Sequence, residues 1–153
     1  MPNFDKTLLR SAARINGLIL DVDEVLTDGK ITYTSRGEES KNFHVRDGSS
    51  IKLLLNNGID IAILSGRNSQ TVERRAEELG ITKIVLGAAS KLKGLQKLRA
   101  KGFVSQEILA IGDDLTDLEL FGHPDISLSA TVQDAATLIK SKVDFVTEKA
   151  GGN

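Results

Sequence analysis

The 153-residue chain contains no cysteine, which excludes disulfides, thiolate metal sites and cysteine nucleophiles and makes a reducing cytoplasm the expected location. Zinc, which favours sulfur and nitrogen ligands, is disfavoured for the same reason. Twenty basic residues stand against 21 acidic ones. There is therefore no field of one sign, and no basic tract, to draw nucleic acid or an anionic membrane. The expected partner is a small molecule. No window approaches 18 consecutive apolar residues, and the opening MPNFDKTLLRSAARIN lacks an apolar stretch followed by a small-residue cleavage site. The chain reads as soluble and unexported. The absence of a GxxxxGKS or GxxxxGKT loop argues against a P-loop nucleotide enzyme. Internal repeats, low-complexity tracts and linkers are also lacking, so residues 1–153 read as one domain, long enough to bury its own core.

What is present is an alternation. Apolar runs of strand length, GLILDV, IDIAILS, KIVLG and EILAIGD with weaker DISLS and KVDFVT, are separated by segments of helical periodicity at 50–57, 69–79, 91–102, 115–121 and 130–141. That order predicts βα units on a Rossmann-like, doubly wound parallel sheet of the α/β class. Residues 30–45, KITYTSRGEESKNFHV, break the pattern: they alternate apolar and polar on both sides of a Gly-containing turn and predict a β-hairpin after the first strand.

The first run, ILDVDEVLTDG over 19–29, ends in four carboxylates, Asp21, Asp23, Glu24 and Asp28. Ser65 ends the second run, Asp113 and Asp114 end the fourth, and Lys91 opens the helix after the third. In an open parallel sheet these points converge outside the carboxyl ends of the strands, where such folds bind ligands. Each acid taken alone is equally well explained as a helix cap, but the whole set, joined by a hydroxyl and an amine, is not. Crowded carboxylates require a cation, and hard oxygen donors without His or Cys select Mg²⁺. Lys91 and Ser65 supply the charge and the donor that a phosphoryl group needs.

DVDEVLTDG, Ser65-Gly66-Arg67, Lys91 and GDDLTD resemble the four motifs of the haloacid dehalogenase superfamily phosphatases. TDG, the hairpin, FHVRDG, the absence of an inserted cap domain and the terminal VT followed by GG are similar to the 3-deoxy-D-manno-octulosonate 8-phosphate phosphatase family. The resemblance implies that Asp21 is a nucleophile forming an aspartyl-phosphate, that Asp23 is the general acid and then base, and that Ser65 and Lys91 hold the phosphoryl oxygens. It implies Mg²⁺ held by Asp21, Asp113 and the backbone carbonyl of Asp23, with Asp114 and Asp117 in supporting positions and Arg46, Arg67 and Thr27 near the substrate. Asp28 is expected to fix its loop and His44 to belong to the hairpin strand. The implied function is hydrolysis of a phosphorylated 3-deoxy-2-keto sugar acid, in a homotetramer whose hairpin covers a neighbour's site. A nine-carbon, sialic-acid-type 9-phosphate is the alternative substrate, and a non-catalytic oligomerisation module the alternative of another class. Glu24 stands where the family usually has Gly, adding a carboxylate beside Asp23.

Overall fold

Strands that are apolar at every position need cover on both faces, and the helices supply it. In the computed structural model, which describes residues 5–153, α1 (Lys6–Ala12) leads into β1 (Gly17–Leu20). A short hairpin of β2 (Thr32–Tyr33) and β3 (Glu39–Ser40) follows. The chain continues through α2 (Val45–Asn56), β4 (Asp60–Leu64), α3 (Gln70–Leu79), β5 (Lys83–Val85), α4 (Lys91–Ala100) and β6 (Ile108–Ile111). A 3-10 turn (Leu115–Asp117) then runs into α5 (Leu118–Phe121), β7 (Ile126–Thr131), α6 (Thr137–Lys140) and β8 (Phe145–Val146). Six strands form one parallel sheet in the order β5-β4-β1-β6-β7-β8, the doubly wound architecture that the alternation predicts.

Strand β1 is buried at all of its positions because alternate residues point into different cores. Leu18 and Leu20, with Ile61 and Ile63 of β4, pack against Ile51, Val72 and Leu79 from α2 and α3. Ile19, with Ala62, Leu64 and Ala110, packs against Leu95, Leu98, Phe103 and Leu120 on the α4 and α5 side. Each such side chain taken fully out of water contributes about 1.5–3 kcal/mol before entropy is counted. Both sides of the central strands are thus fixed, and so are the loops that leave their ends.

Boundaries differ from the sequence expectation in three places. α2 starts at Val45 rather than 50, because His44 caps it: Nδ1 accepts the Arg46 N–H at 3.1 Å. His44 is therefore a cap rather than a hairpin-strand residue, and Arg46 and Asp47 lie in the first helical turn. The expected helix over 130–141 gives way to sheet, since Ala130 and Thr131 pair with β6 or β8 and only Thr137–Lys140 is helical. The hairpin is paired only at Thr32 with Ser40 and Tyr33 with Glu39, with an isolated bridge between Thr27 and Phe43 below it. Helix α1 carries no buried residue and has no apolar stripe strong enough to announce it.

From β1 the chain moves outward to β4 and β5, then crosses back to place β6 against the other edge of β1. Such a reversal opens a crevice beyond the carboxyl ends of the two strands that flank it. Asp21 follows β1 and Asp113 follows β6, so both carboxylates stand at that crevice.

Candidate active site

The first residue past β1 is held to the last of β6, with Asp21 N–H donating to the Ile111 carbonyl at 3.0 Å. Asp21 Oδ1 accepts the Val22 N–H at 2.7 Å, and the turn beyond closes on the Val22 carbonyl, which accepts from Val25, Leu26 and Thr27. Thr27 is fully buried, and its hydroxyl oxygen accepts from the Glu24 and Gly29 N–H groups at 3.3 and 3.2 Å. It fastens the loop from beneath and does not line the cleft above. Asp28 holds the same loop, accepting from Lys30 N–H at 3.1 Å and from Asn42 at 3.4 Å.

Lys91 opens α4, where the helix dipole disfavours a cation, and its side chain is only 2% exposed. Three acceptors compensate: Asp21 at 2.6 Å, Asp117 at 2.7 Å and the Leu64 carbonyl at 3.0 Å. Gly94 permits the approach, since a Cβ there would run into Leu64 and push α4 off β4. Burial pulls the ammonium's pKa down, but the charges of Asp21 and Asp117 outweigh it and leave Lys91 above its ordinary value.

Asp117 is equally buried, and its Oδ2 accepts the N–H groups of both Asp113 and Asp114 at 3.1 Å. Gly112 makes room for it, because a side chain there would overlap the Asp117 carboxylate. Asp114 is exposed and caps the 3-10 turn, accepting Leu115 N–H at 2.6 Å. Ser65 is buried at the end of β4, its hydroxyl accepting Arg67 N–H at 3.3 Å.

Asp21, Asp113 and Asp117 each bring a carboxylate oxygen within 4.8 Å of the others. Three carboxylates face one ammonium there, leaving the group short of positive charge. Burial, then the neighbouring charges, pushes Asp113 up to about 8. Burial likewise pushes Asp21 up to about 6, against the pull of Lys91. A cation placed among these carboxyls would favour their charged forms. All donors here are hard oxygens, and the two Asp117 oxygens are already engaged, so Asp21 and Asp113 suit a small divalent cation such as Mg²⁺.

The other wall of the cleft is balanced. Asp23 is ion-paired with Lys41 and lies 3.6 Å from Arg67 Nε. Glu39 sits 3.9 Å from Lys41 and 3.4 Å from Arg67 and accepts from Ser69 Oγ, while Arg67 also donates to the Tyr33 hydroxyl at 3.2 Å. Asp23 therefore faces cations rather than the carboxylate cluster. Lys41 and Glu39 are absent from the sequence-derived set; in the structure positions 39 to 43 alternate inward and outward, which places Glu39, Lys41 and Phe43 on one face.

Asp21, Asp23, Ser65, Arg67, Lys91, Asp113 and Asp114 converge on a cleft of about 560 Å³, joined by Glu24, Gly66, Thr116 and Ala136. Arg46 stands exposed on α2, outside that lining.

A family model for haloacid dehalogenase-like hydrolases matches residues 81–152. The 3-deoxy-D-manno-octulosonate 8-phosphate phosphatase KdsC of Escherichia coli is 41% identical over 146 residues, covering 95% of this chain and 77% of that protein. The chain belongs to this phosphatase family. The KdsC-type phosphatase of Moraxella catarrhalis, solved with a magnesium ion, phosphate and a KDO molecule, superposes with a TM-score of 0.89 at 36% identity, over 98% of this chain and 86% of that one. The Yersinia pestis phosphatase gives 0.90 at 40% identity, over 96% and 79%. A cobalt-bound phosphatase from Haemophilus influenzae gives 0.86 at 40%, over 94% and 83%. This chain thus shares its fold with proteins solved with magnesium or cobalt bound.

Proposed function

We propose that the protein is a Mg²⁺-dependent phosphoric monoester hydrolase acting on 3-deoxy-D-manno-octulosonate 8-phosphate in the route to lipopolysaccharide. The observation that carries this is the Asp21, Asp113 and Asp117 cluster with its one buried ammonium, in a chain 41% identical to KdsC.

Asp21 is the nucleophile. Its oxygen forms a bond to phosphorus as the bond between phosphorus and the sugar oxygen breaks, and that oxygen departs with the electron pair and takes a proton from Asp23. Water then attacks the phosphorus, gives its proton to Asp23 and releases phosphate from Asp21. Ser65 and Lys91 hold the phosphoryl oxygens while charge redistributes. Mg²⁺, when bound by Asp21, Asp113 and the backbone carbonyl of Asp23, neutralises charge on the phosphoryl group. Asp117 and Asp114 keep the Asp113 loop in shape, and Arg67 meets the sugar acid.

The setting follows from the same reading: a cytoplasmic homotetramer in which the exposed hairpin, with Tyr33 60% accessible, gains cover from a neighbouring subunit. No helix among the described residues is long and apolar enough to cross a membrane. Light scattering at micromolar concentration is expected to give the tetramer mass, and a monomer mass rejects it.

The deciding experiment compares kcat/KM across octulosonate 8-phosphate, a nonulosonate 9-phosphate and hexose phosphates, with and without Mg²⁺, alongside Asp21→Asn. Preference for the eight-carbon acid, lost on chelation and in the variant, is expected. Preference for the nine-carbon acid reassigns the substrate, and no hydrolysis at all rejects the enzyme.

A further inference from the structure

Lysine is among the residues least often buried, because its flexible stem lets the ammonium reach water. Lys41 does the opposite. It directly follows the return strand of a small exposed hairpin, its side chain is fully buried, and the ammonium points inward to Asp23 Oδ1. Its second counter-charge, Glu39, lies 3.9 Å away and is itself held by Ser69 and Arg67.

Anchoring of the hairpin does not account for this. Thr71 Oγ1 donates to the Glu39 carbonyl at 3.1 Å, Ser69 donates to the Glu39 carboxylate, and Arg67 reaches both Tyr33 and Glu39. These contacts fasten the hairpin to the start of α3 without Lys41. What Lys41 adds is a hold on Asp23. One carboxyl oxygen of Asp23 meets Lys41 and the other faces Arg67 at 3.6 Å. Each Asp23 oxygen thus has a cation beside it, and Asp23, which lines the cleft, stays out of the cluster formed by Asp21, Asp113 and Asp117.

We propose that Lys41 is a positioning residue, its inward-turned ammonium fixing the direction of the Asp23 carboxyl so that the carboxyl addresses the leaving oxygen rather than the cation site. This rests on the reading of the protein as a phosphatase with Asp23 as its acid. The hairpin is then part of the catalytic apparatus of its own subunit, since it carries in the group that aims the acid.

The role separates from structure by the leaving group. p-Nitrophenolate departs without a proton, whereas a sugar alkoxide needs one, and a general acid contributes roughly 10²–10⁴-fold where it is needed. Because Asp23 also serves as base when water releases the phosphate from Asp21, a step common to both substrates, the comparison is made on kcat/KM, which covers only the transfer to Asp21: Lys41→Met is expected to lower it about 100-fold on the sugar-acid phosphate and only severalfold on p-nitrophenyl phosphate. In an Asp23→Ala background the same substitution is expected to add little further loss on the sugar phosphate, because residues acting through one another are not additive. Should the Met variant fail to fold, Lys41→Gln keeps a hydrogen-bond donor of nearly the same reach and is compared on the same two substrates. Equal losses on both substrates, or full additivity with Asp23→Ala, overturn the positioning role. A parent enzyme that hydrolyses neither substrate overturns the phosphatase reading instead, so the two failures are distinguishable.

Discussion

The Lys91 ammonium lies 2.7 Å from the Asp117 carboxylate, and each side chain is only 2% exposed. The other Asp117 oxygen takes the N–H groups of Asp113 and Asp114. One buried carboxylate therefore sets two things at once: where the Lys91 ammonium sits and how the loop bearing Asp113 is folded.

Removing one partner of a buried ion pair leaves an uncompensated charge and costs about 3–5 kcal/mol. Asp117→Ala is expected to lose stability in that range by urea denaturation, together with its activity. Asp117→Asn keeps an acceptor for the two amides but not the charge opposite Lys91. It should be less destabilised, yet still bind Mg²⁺ weakly and turn over slowly. A stable Ala variant with normal metal affinity would show that the loop does not depend on this carboxylate.

Metal and proton compete in the carboxylate cluster. Without a cation, Asp113 and Asp21 lie at about 8 and about 6 in the folded protein, against an ordinary 3.8. Between these values the native state binds more protons than the unfolded chain, so stability falls as pH rises. In chelator, Tm should therefore decline from pH 5 to pH 8 by this contribution, and saturating Mg²⁺ should remove the decline by binding the ionised form. Mg²⁺ affinity itself should strengthen over the same interval. Parallel Tm profiles with and without Mg²⁺ would contradict this.

The parallel sheet was legible because its central strands are buried on both faces, so GLIL and IAIL read as unbroken apolar runs. Asp21, Ser65, Lys91 and Asp113 were legible because such a sheet brings its strand ends together whatever their separation in sequence. Less readable was β7, where Ser129 and Thr131 are buried yet polar and interrupt the apolar signal. The Lys41 and Asp23 pairing was hidden for a different reason. A lysine in a polar hairpin reads as solvated, and only the docking of the hairpin against Arg67 and Ser69 turns it inward.

The hairpin should respond to acid. Glu39 is held below its ordinary 4.5, first by the Ser69 hydrogen bond and then by Lys41 and Arg67. A depressed carboxylate contributes stability above its unfolded value and loses it as pH falls through the folded one. Below pH 4.5 the hairpin is expected to loosen. Tyr33, the only tyrosine in a chain without tryptophan, bonds Arg67 from this hairpin and can report the change by its fluorescence. Glu39→Gln should give the loosened signal already at pH 7, and a signal unchanged from the parent's would refute the ion cluster as the clasp.

Glu24 is the non-glycine residue with positive φ, at +60°, among the described residues, and after burial and the charges of Asp21 and Asp117 its carboxylate adds to the upward push on Asp113. Two effects of Glu24→Gly separate. Relief of the left-handed backbone returns about 1–2 kcal/mol, while the freer unfolded chain takes back about 0.4–1 kcal/mol, so stability should rise by about 0–1.6 kcal/mol. Loss of the charge weakens attraction for the cation, and a single partly exposed charge contributes about 0.2–1 kcal/mol, so Mg²⁺ affinity should fall about 1.4- to 5-fold. Glu24→Gln isolates the second effect, since it keeps the backbone as it is. Calorimetric titration of both variants with Mg²⁺ should show the same weakening in each, with the stability gain confined to Gly. Unchanged affinity in the Gln variant would mean that Glu24 acts on the loop backbone alone and not on the metal site.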